Sequence, residues 1–164
     1  MGPLRKVLVG VLGALSLAGV GSVAVGAQND TLIQFDSMTG VAASGVNVVN
    51  DRGIAAGGAP WVITSGSGTV DHQGNVSVQV TGLVIPLFTP PKNPVGAFSV
   101  TVSCLTPDGV MNVTTGPSAA NLAGDSTINA TVDLPHPCKS PEVFVGLTRS
   151  NGTFVWFAHS NSED

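Results

Sequence analysis

The chain contains no tyrosine, only two cysteines and two tryptophans, and charged residues make up just 10% of its 164 positions. Lys and Arg number 6 against 10 acids, a formal net charge of −4. That balance lacks the basic footprint by which proteins hold nucleic acid or an anionic membrane surface. After residue 27 the only glutamates are Glu142, next to Pro141, and Glu163. The paired carboxylates of glycoside hydrolysis are therefore unsupported. The histidines, His72, His136 and His159, are dispersed, with no His-x-His or His-Glu-x-x-His spacing, so the sequence specifies no zinc site. There is no Gly-x-Ser-x-Gly nucleophile elbow and no Asp-x-Asp-x-Asp-Gly calcium loop. No catalytic residue, cofactor or metal ligand is expected.

What is present begins with an address. Arg5 and Lys6 precede an uncharged apolar run from Val7 to Val25, and Val25-Gly26-Ala27 supplies the small residues a signal peptidase accepts. Residues 1–27 read as a signal peptide cleaved before Gln28. The alternative is a retained N-terminal membrane anchor, since the run approaches the roughly 18 residues a spanning helix needs. Gly10, Gly13, Gly19 and Gly21 within it favour cleavage. No later run is long and apolar enough to span a bilayer, so no stable membrane insertion is expected afterwards, and the location is extracellular or cell-envelope. Residues 28–164 then form one domain. In an oxidising compartment Cys104 and Cys138 make one disulfide, their separation being far from the Cys-x-x-Cys of redox and metal pairs.

Period-two alternation dominates this domain, and no stretch sustains the 3.6-residue apolar period of a helix. Phe98-Ser99-Val100-Thr101-Val102-Ser103-Cys104 puts Phe98, Val100, Val102 and Cys104 on one face and hydroxyls on the other. Val76–Thr81 and Ile128–Leu134 repeat the scheme. Further strands are expected at Leu32–Phe35, Val46–Val49, Trp61–Thr64, Leu83–Leu87, Val110–Thr115, Val143–Thr148 and Thr153–Phe157. Breaks are expected at Ser65-Gly66-Ser67-Gly68, Asp71–Asn75, Pro107-Asp108-Gly109 and Ser150-Asn151-Gly152, with tight hairpins at the last two. Many short strands with frequent turns predict an all-β, single antiparallel β-sandwich. It is immunoglobulin-like in architecture at most. No Trp stands midway between the cysteines, and Cys138 lies in the proline-rich Pro135-His136-Pro137-Cys138, so the bond would staple a strand end to a loop.

Asn50-Asp51-Arg52-Gly53-Ile54, Gly57-Gly58-Ala59-Pro60-Trp61-Val62-Ile63 and Gly82-Leu83-Val84-Ile85 resemble segments of a group of small secreted bacterial proteins of uncharacterised function. So do Ser103-Cys104-Leu105, Gly124-Asp125, Leu134–Cys138, Phe144-Val145 and Trp156-Phe157-Ala158. The resemblance covers nearly all of residues 28–164. It implies bacterial origin, export and one disulfide-bonded β domain, and it carries no activity.

Three residues stand out as candidates for recognition. Arg52 leads the Gly-rich stretch Gly53–Pro60, which reads as a structural loop, the rival being an anion-binding nest. Trp61 follows Pro60 at a strand start and fits either the core or its rim. Trp156 sits in Phe154-Val155-Trp156-Phe157, apolar on both alternating faces, as in a central strand buried on both sides. Sequons at Asn29, Asn75, Asn112, Asn129 and Asn151 read as a by-product of Asn- and Thr-rich solvent faces. The expected function is a non-enzymatic extracellular binding or interaction module for a protein or glycan. The alternatives are a small extracytoplasmic hydrolase, whose site assembles only in the fold, and a structural cell-envelope component. Convergence of His136 or His159 with Asp125 or Asp133 in a pocket would favour the enzyme; an apolar patch around Trp61 or Trp156 would favour the binder.

Overall fold

The computed structural model describes residues 30–161. The signal segment at residues 1–27, its cleavage before Gln28, the Asn29 sequon and Glu163 lie outside the described residues. Two antiparallel sheets pack face to face as a β-sandwich. The smaller has the order β1 (Thr31–Phe35), β4 (Ser65–Asp71), β5 (Asn75–Thr81), β9 (Ser126–Thr131). The larger has the order β2 (Met38–Gly40), β11 (Phe154–Ser160), β10 (Lys139–Thr148), β6 (Ala97–Thr106), β7 (Gly109–Thr114). Two short strands extend it: β3 (Ala55–Ala56) runs parallel to β11, and β8 (Ser118–Ala119) pairs with β6. Among the described residues no helix is long and apolar enough to cross a membrane.

The alternation in the sequence sets the inner faces. Val76, Val78 and Val80 of β5 and Ile128 of β9 point inward from the smaller sheet. Phe98, Val100 and Val102 of β6 and Val143 and Val145 of β10 meet them from the larger. Each such side chain, fully removed from water, contributes about 1.5–3 kcal/mol. Trp61 enters this core from the β3–β4 connection. It is 3% exposed, stacks on Phe157 at 4.1 Å between ring centres and meets Phe98 edge-on at 6.3 Å. Trp61 is a core residue.

Cys104 and Cys138 are bonded across a separation of 34 residues. The link staples β6 to the loop that enters its neighbour β10, within one sheet and not across the sandwich. Closing a loop of that length stabilises the fold by about 3.5–4 kcal/mol on the chain-entropy account.

Four expectations need correction. Ser65-Gly66-Ser67-Gly68 is not a break but the first half of β4. Its serines face solvent, and its glycines face the core because larger residues have no room there. A Cβ on Gly66 would stand 2.7 Å from Met38, and one on Gly68 2.9 Å from both Phe35 and Val78. Val46–Val49, Trp61–Thr64 and Leu83–Leu87 are not strands. They follow a 3-10 turn at Ala43–Gly45 or run as connections held by single bridges, Val49 to Ala55, Val62 to Val84 and Ile85 to Lys92.

The connections are fixed by Asx chemistry. Asp71 closes the β4–β5 turn by accepting from the side chain of Asn75 (2.7 Å) and the backbone N–H groups of Asn75 and Gln73. These bonds favour the carboxylate, the Asn75 side chain most, and hold Asp71 below its ordinary pKa. Gly82-Leu83 and Gly124-Asp125, far apart in sequence, interlock. The Gly82 N–H donates to Asp125 Oδ1 at 2.9 Å, and the Leu83 N–H to the Gly124 carbonyl at 3.0 Å. Gly124 has φ +82°, and any Cβ there would overlap the Leu83 backbone. Glycine is required at this contact.

Candidate functional site

The outer face of the larger sheet carries the chemistry. A β-bulge between β10 and β11 interrupts the register between Val145 and Gly146. It lets Phe157 and Ala158 both reach the core while Trp156 and His159 stay on the outer side. Register pairs His159 with Phe144, and Glu142 of β10 with Ser103 of β6. The three rings form a cluster. Trp156 stands edge-on to Phe144 (6.0 Å) and to His159 (5.3 Å), and Phe144 lies near-parallel to His159 (6.1 Å).

A turn covers this face. The Asn50 side-chain oxygen accepts from the N–H groups of Arg52 (3.1 Å) and Ile54 (2.9 Å), so Asn50–Ile54 closes on itself, with Gly53 at φ +73°. Arg52 ties the turn to the sheet. Its Nη2 donates to the Ser140 carbonyl (2.9 Å), its Nε lies 3.4 Å from Glu142 Oε2, and its own carbonyl accepts from the Asn112 side chain (2.9 Å). The side chains of Arg52 and Glu142 are only 11% and 24% exposed, so the pair is partly desolvated. Downstream, the Gly57 N–H donates to the Trp156 carbonyl (2.9 Å), and a Cβ on Gly57 would meet the Phe157 ring at 2.9 Å. Gly57 serves close packing against β11, and the arginine serves Glu142.

Between turn and sheet lies a cavity of about 150 Å³, lined by Asn50, Asp51, Glu142, Phe144, Trp156 and His159. His159 Nδ1 is 3.2 Å from Glu142 Oε1, close enough for an electrostatic contact but not aligned as a hydrogen bond. Trp156 Nε1 and Arg52 Nη1 are buried donors without an acceptor among the described residues. A buried, unpaired N–H is costly to leave unmade. Trp156 itself is half-buried. The reading of it as buried on both sides is therefore corrected: β11 is internal to its sheet, yet the outer side of Trp156 opens to the cavity.

The candidate residues divide cleanly. Trp156 lines this cavity and Arg52 holds its Glu142, whereas Trp61 does neither, being sealed in the core on the other side of the sheet. His159 meets Glu142 and not Asp125 or Asp133. Asp125 is engaged by the Asn121 side chain (3.0 Å) and the Gly82 N–H, which lower its pKa in that order. His72 and His136 are exposed, in a turn and a loop. Sequence reasoning passed over Glu142, Phe144 and Asp51. Strand alternation carried the missing signal, because with Val143 and Val145 facing inward, Glu142 and Phe144 must face outward.

Two larger open depressions of about 440 Å³ involve the smaller sheet, one lined by Gln79–Thr81, Asp125–Thr127 and the 119–121 segment at and after β8, the other on its outer face by Asn75–Ser77 and Asn129–Thr131. They are floored by hydroxyl and amide groups, several already paired with one another. Among the described residues no three His, Cys, Asp or Glu side chains are grouped as a metal ion would need. Comparison with known protein families, curated proteins and solved structures finds no match for this chain.

Proposed function

We propose that the protein is an exported, non-enzymatic binding module that recognises a protein or glycan outside the cell or in the cell envelope. The observation that carries this reading is the cavity beside Trp156, where aromatic, carboxylate and amide groups from three separate segments converge. The signal-like segment at residues 1–27 and the disulfide fit an oxidising, extracytoplasmic setting. The resemblance to small secreted bacterial proteins points the same way.

A hydrolase is the second reading, favoured by the His159–Glu142 contact, which has the form of a base with its orienting acid. Such a pair needs a nucleophile within reach. The neighbouring hydroxyl, Ser103, is fully buried beneath the face, and Glu142 is also engaged by Arg52. Binding is the better account. Probing peptide and glycan arrays with the purified protein and with Trp156→Phe tests it: the reading expects at least one ligand whose retention drops with the variant. Turnover of ester, amide or glycoside substrates that His159→Ala abolishes would replace it with the hydrolase.

A further inference from the structure

Resting on the reading of the Trp156 cavity as a binding site, we infer that its ligand is a neutral, hydroxyl-rich ring, the pyranose unit of an uncharged glycan. Charge within the site leads to this class. An anion entering the cavity would meet the partly desolvated carboxylate of Glu142, while the one nearby guanidinium, Arg52, is committed to Glu142 and the Ser140 carbonyl. A cation held by Glu142 would stand beside Arg52, whose Nε is 3.4 Å from the same carboxylate. The remaining charge, Asp51, is on an exposed turn and screened by solvent. Neutral ligands escape both penalties.

The polar inventory matches hydroxyls in both directions. Asp51 and the free lone pairs of Glu142 accept from sugar O–H groups, and the Asn50 amide nitrogen donates. The half-buried Trp156 supplies apolar wall for the C–H edges, and the buried Phe144 ring supports it edge-on. Size agrees: about 150 Å³ lies below the roughly 300–1,000 Å³ of sites for drug-sized molecules and suits one ring of a longer chain.

The test is a fluorescence or calorimetric titration with length-matched neutral tetrasaccharides (gluco-, manno- and galacto-series), a uronate tetramer, a glucosamine tetramer and a peptide library. Asp51→Ala and Trp156→Phe accompany the wild type, and Asp51 sits on an exposed turn, so its removal spares the fold. The expected result is binding of a neutral series, insensitive to salt, at least about tenfold tighter than either charged series. Asp51→Ala should weaken it about tenfold, as loss of a charge-assisted hydrogen bond implies. Trp156-dependent binding of a charged glycan or a peptide would overturn the sugar assignment and leave the binding module standing. Absence of any Trp156- or Asp51-dependent binding across the panel would overturn both.

Discussion

The outer faces of the two sheets are built from the same alternation but solve different problems. On the smaller sheet, Gln34, Thr69, Ser77 and Asn129 sit in one row across the strands, and Ser67, Gln79 and Thr127 in the next. Neighbours there satisfy one another: Ser77 Oγ donates to Asn129 Oδ1 at 2.9 Å and Thr131 Oγ1 to Asn75 Oδ1 at 3.0 Å. On the larger sheet, the equivalent positions hold Glu142, Phe144, Trp156 and His159 under the Asn50–Ile54 turn, and Arg52 Nη1, Ser103 Oγ, Trp156 Nε1 and His159 Nδ1 are buried without hydrogen-bond partners among the described residues. A face that only has to be wet pairs a few of its polar groups and leaves the rest to solvent. A face that leaves buried donors unpaired departs from the rule that such groups are bonded, and such departures mark functional surfaces.

The two tryptophans sharpen the contrast, because each belongs to one side of the larger sheet. Trp61→Ala should cost about 3–5 kcal/mol in a denaturant melt, through lost burial and a residual cavity against Phe157 and Phe98. A cost below about 1 kcal/mol would remove Trp61 from the core. Glu142→Gln comes next. It strips the charge facing the largely buried Arg52 and should destabilise by about 1–2 kcal/mol, below the fully buried case because Glu142 keeps some solvent contact. An unchanged melt would mean that the turn is held without the ion pair.

Acid separates the faces in another way. Asp125 has its pKa lowered in the folded chain, so the stability it contributes is present above its unfolded pKa of about 3.9 and is lost as pH falls through the lower folded value. Asp125→Asn should therefore flatten the fall in denaturation midpoint below about pH 4, and an unaltered acid limb would exclude the Gly82 and Asn121 bonds as its source. The smallest effect belongs to the solvated face. Ser77→Ala, at an exposed hydroxyl, should stay within about 0.5 kcal/mol and leave ligand binding untouched. Loss of binding there would move the site to the smaller sheet.

The sequence exposed the sandwich where one face is apolar and the other polar. Val76–Thr81 and Phe98–Cys104 fall inside β5 and β6, and the hairpin signals at Pro107-Asp108-Gly109 and Asn151-Gly152 sit where β6 meets β7 and β10 meets β11. Ile128–Leu134 was legible only in part, since β9 ends at Thr131 and the Val132 N–H turns to the Gly74 carbonyl. Strand β4 escaped notice because glycine signals a turn by conformational freedom, whereas Gly66 and Gly68 are there for lack of space. Arg52 and Trp156 stood out by residue type. Their meeting with Glu142 and His159 depends on a bulge and on a turn folded over distant strands, neither of which leaves a spacing in the chain.

The difference between Trp156 and Trp61 can be read in one denaturation series. If Trp156 is a half-buried ligand contact on the outer face, Trp156→Ala should lose about 1–2 kcal/mol, a fraction of the loss in Trp61→Ala measured beside it. Equal losses of about 3–5 kcal/mol in the two variants would contradict the account, because Trp156 would then be a pillar of the fold.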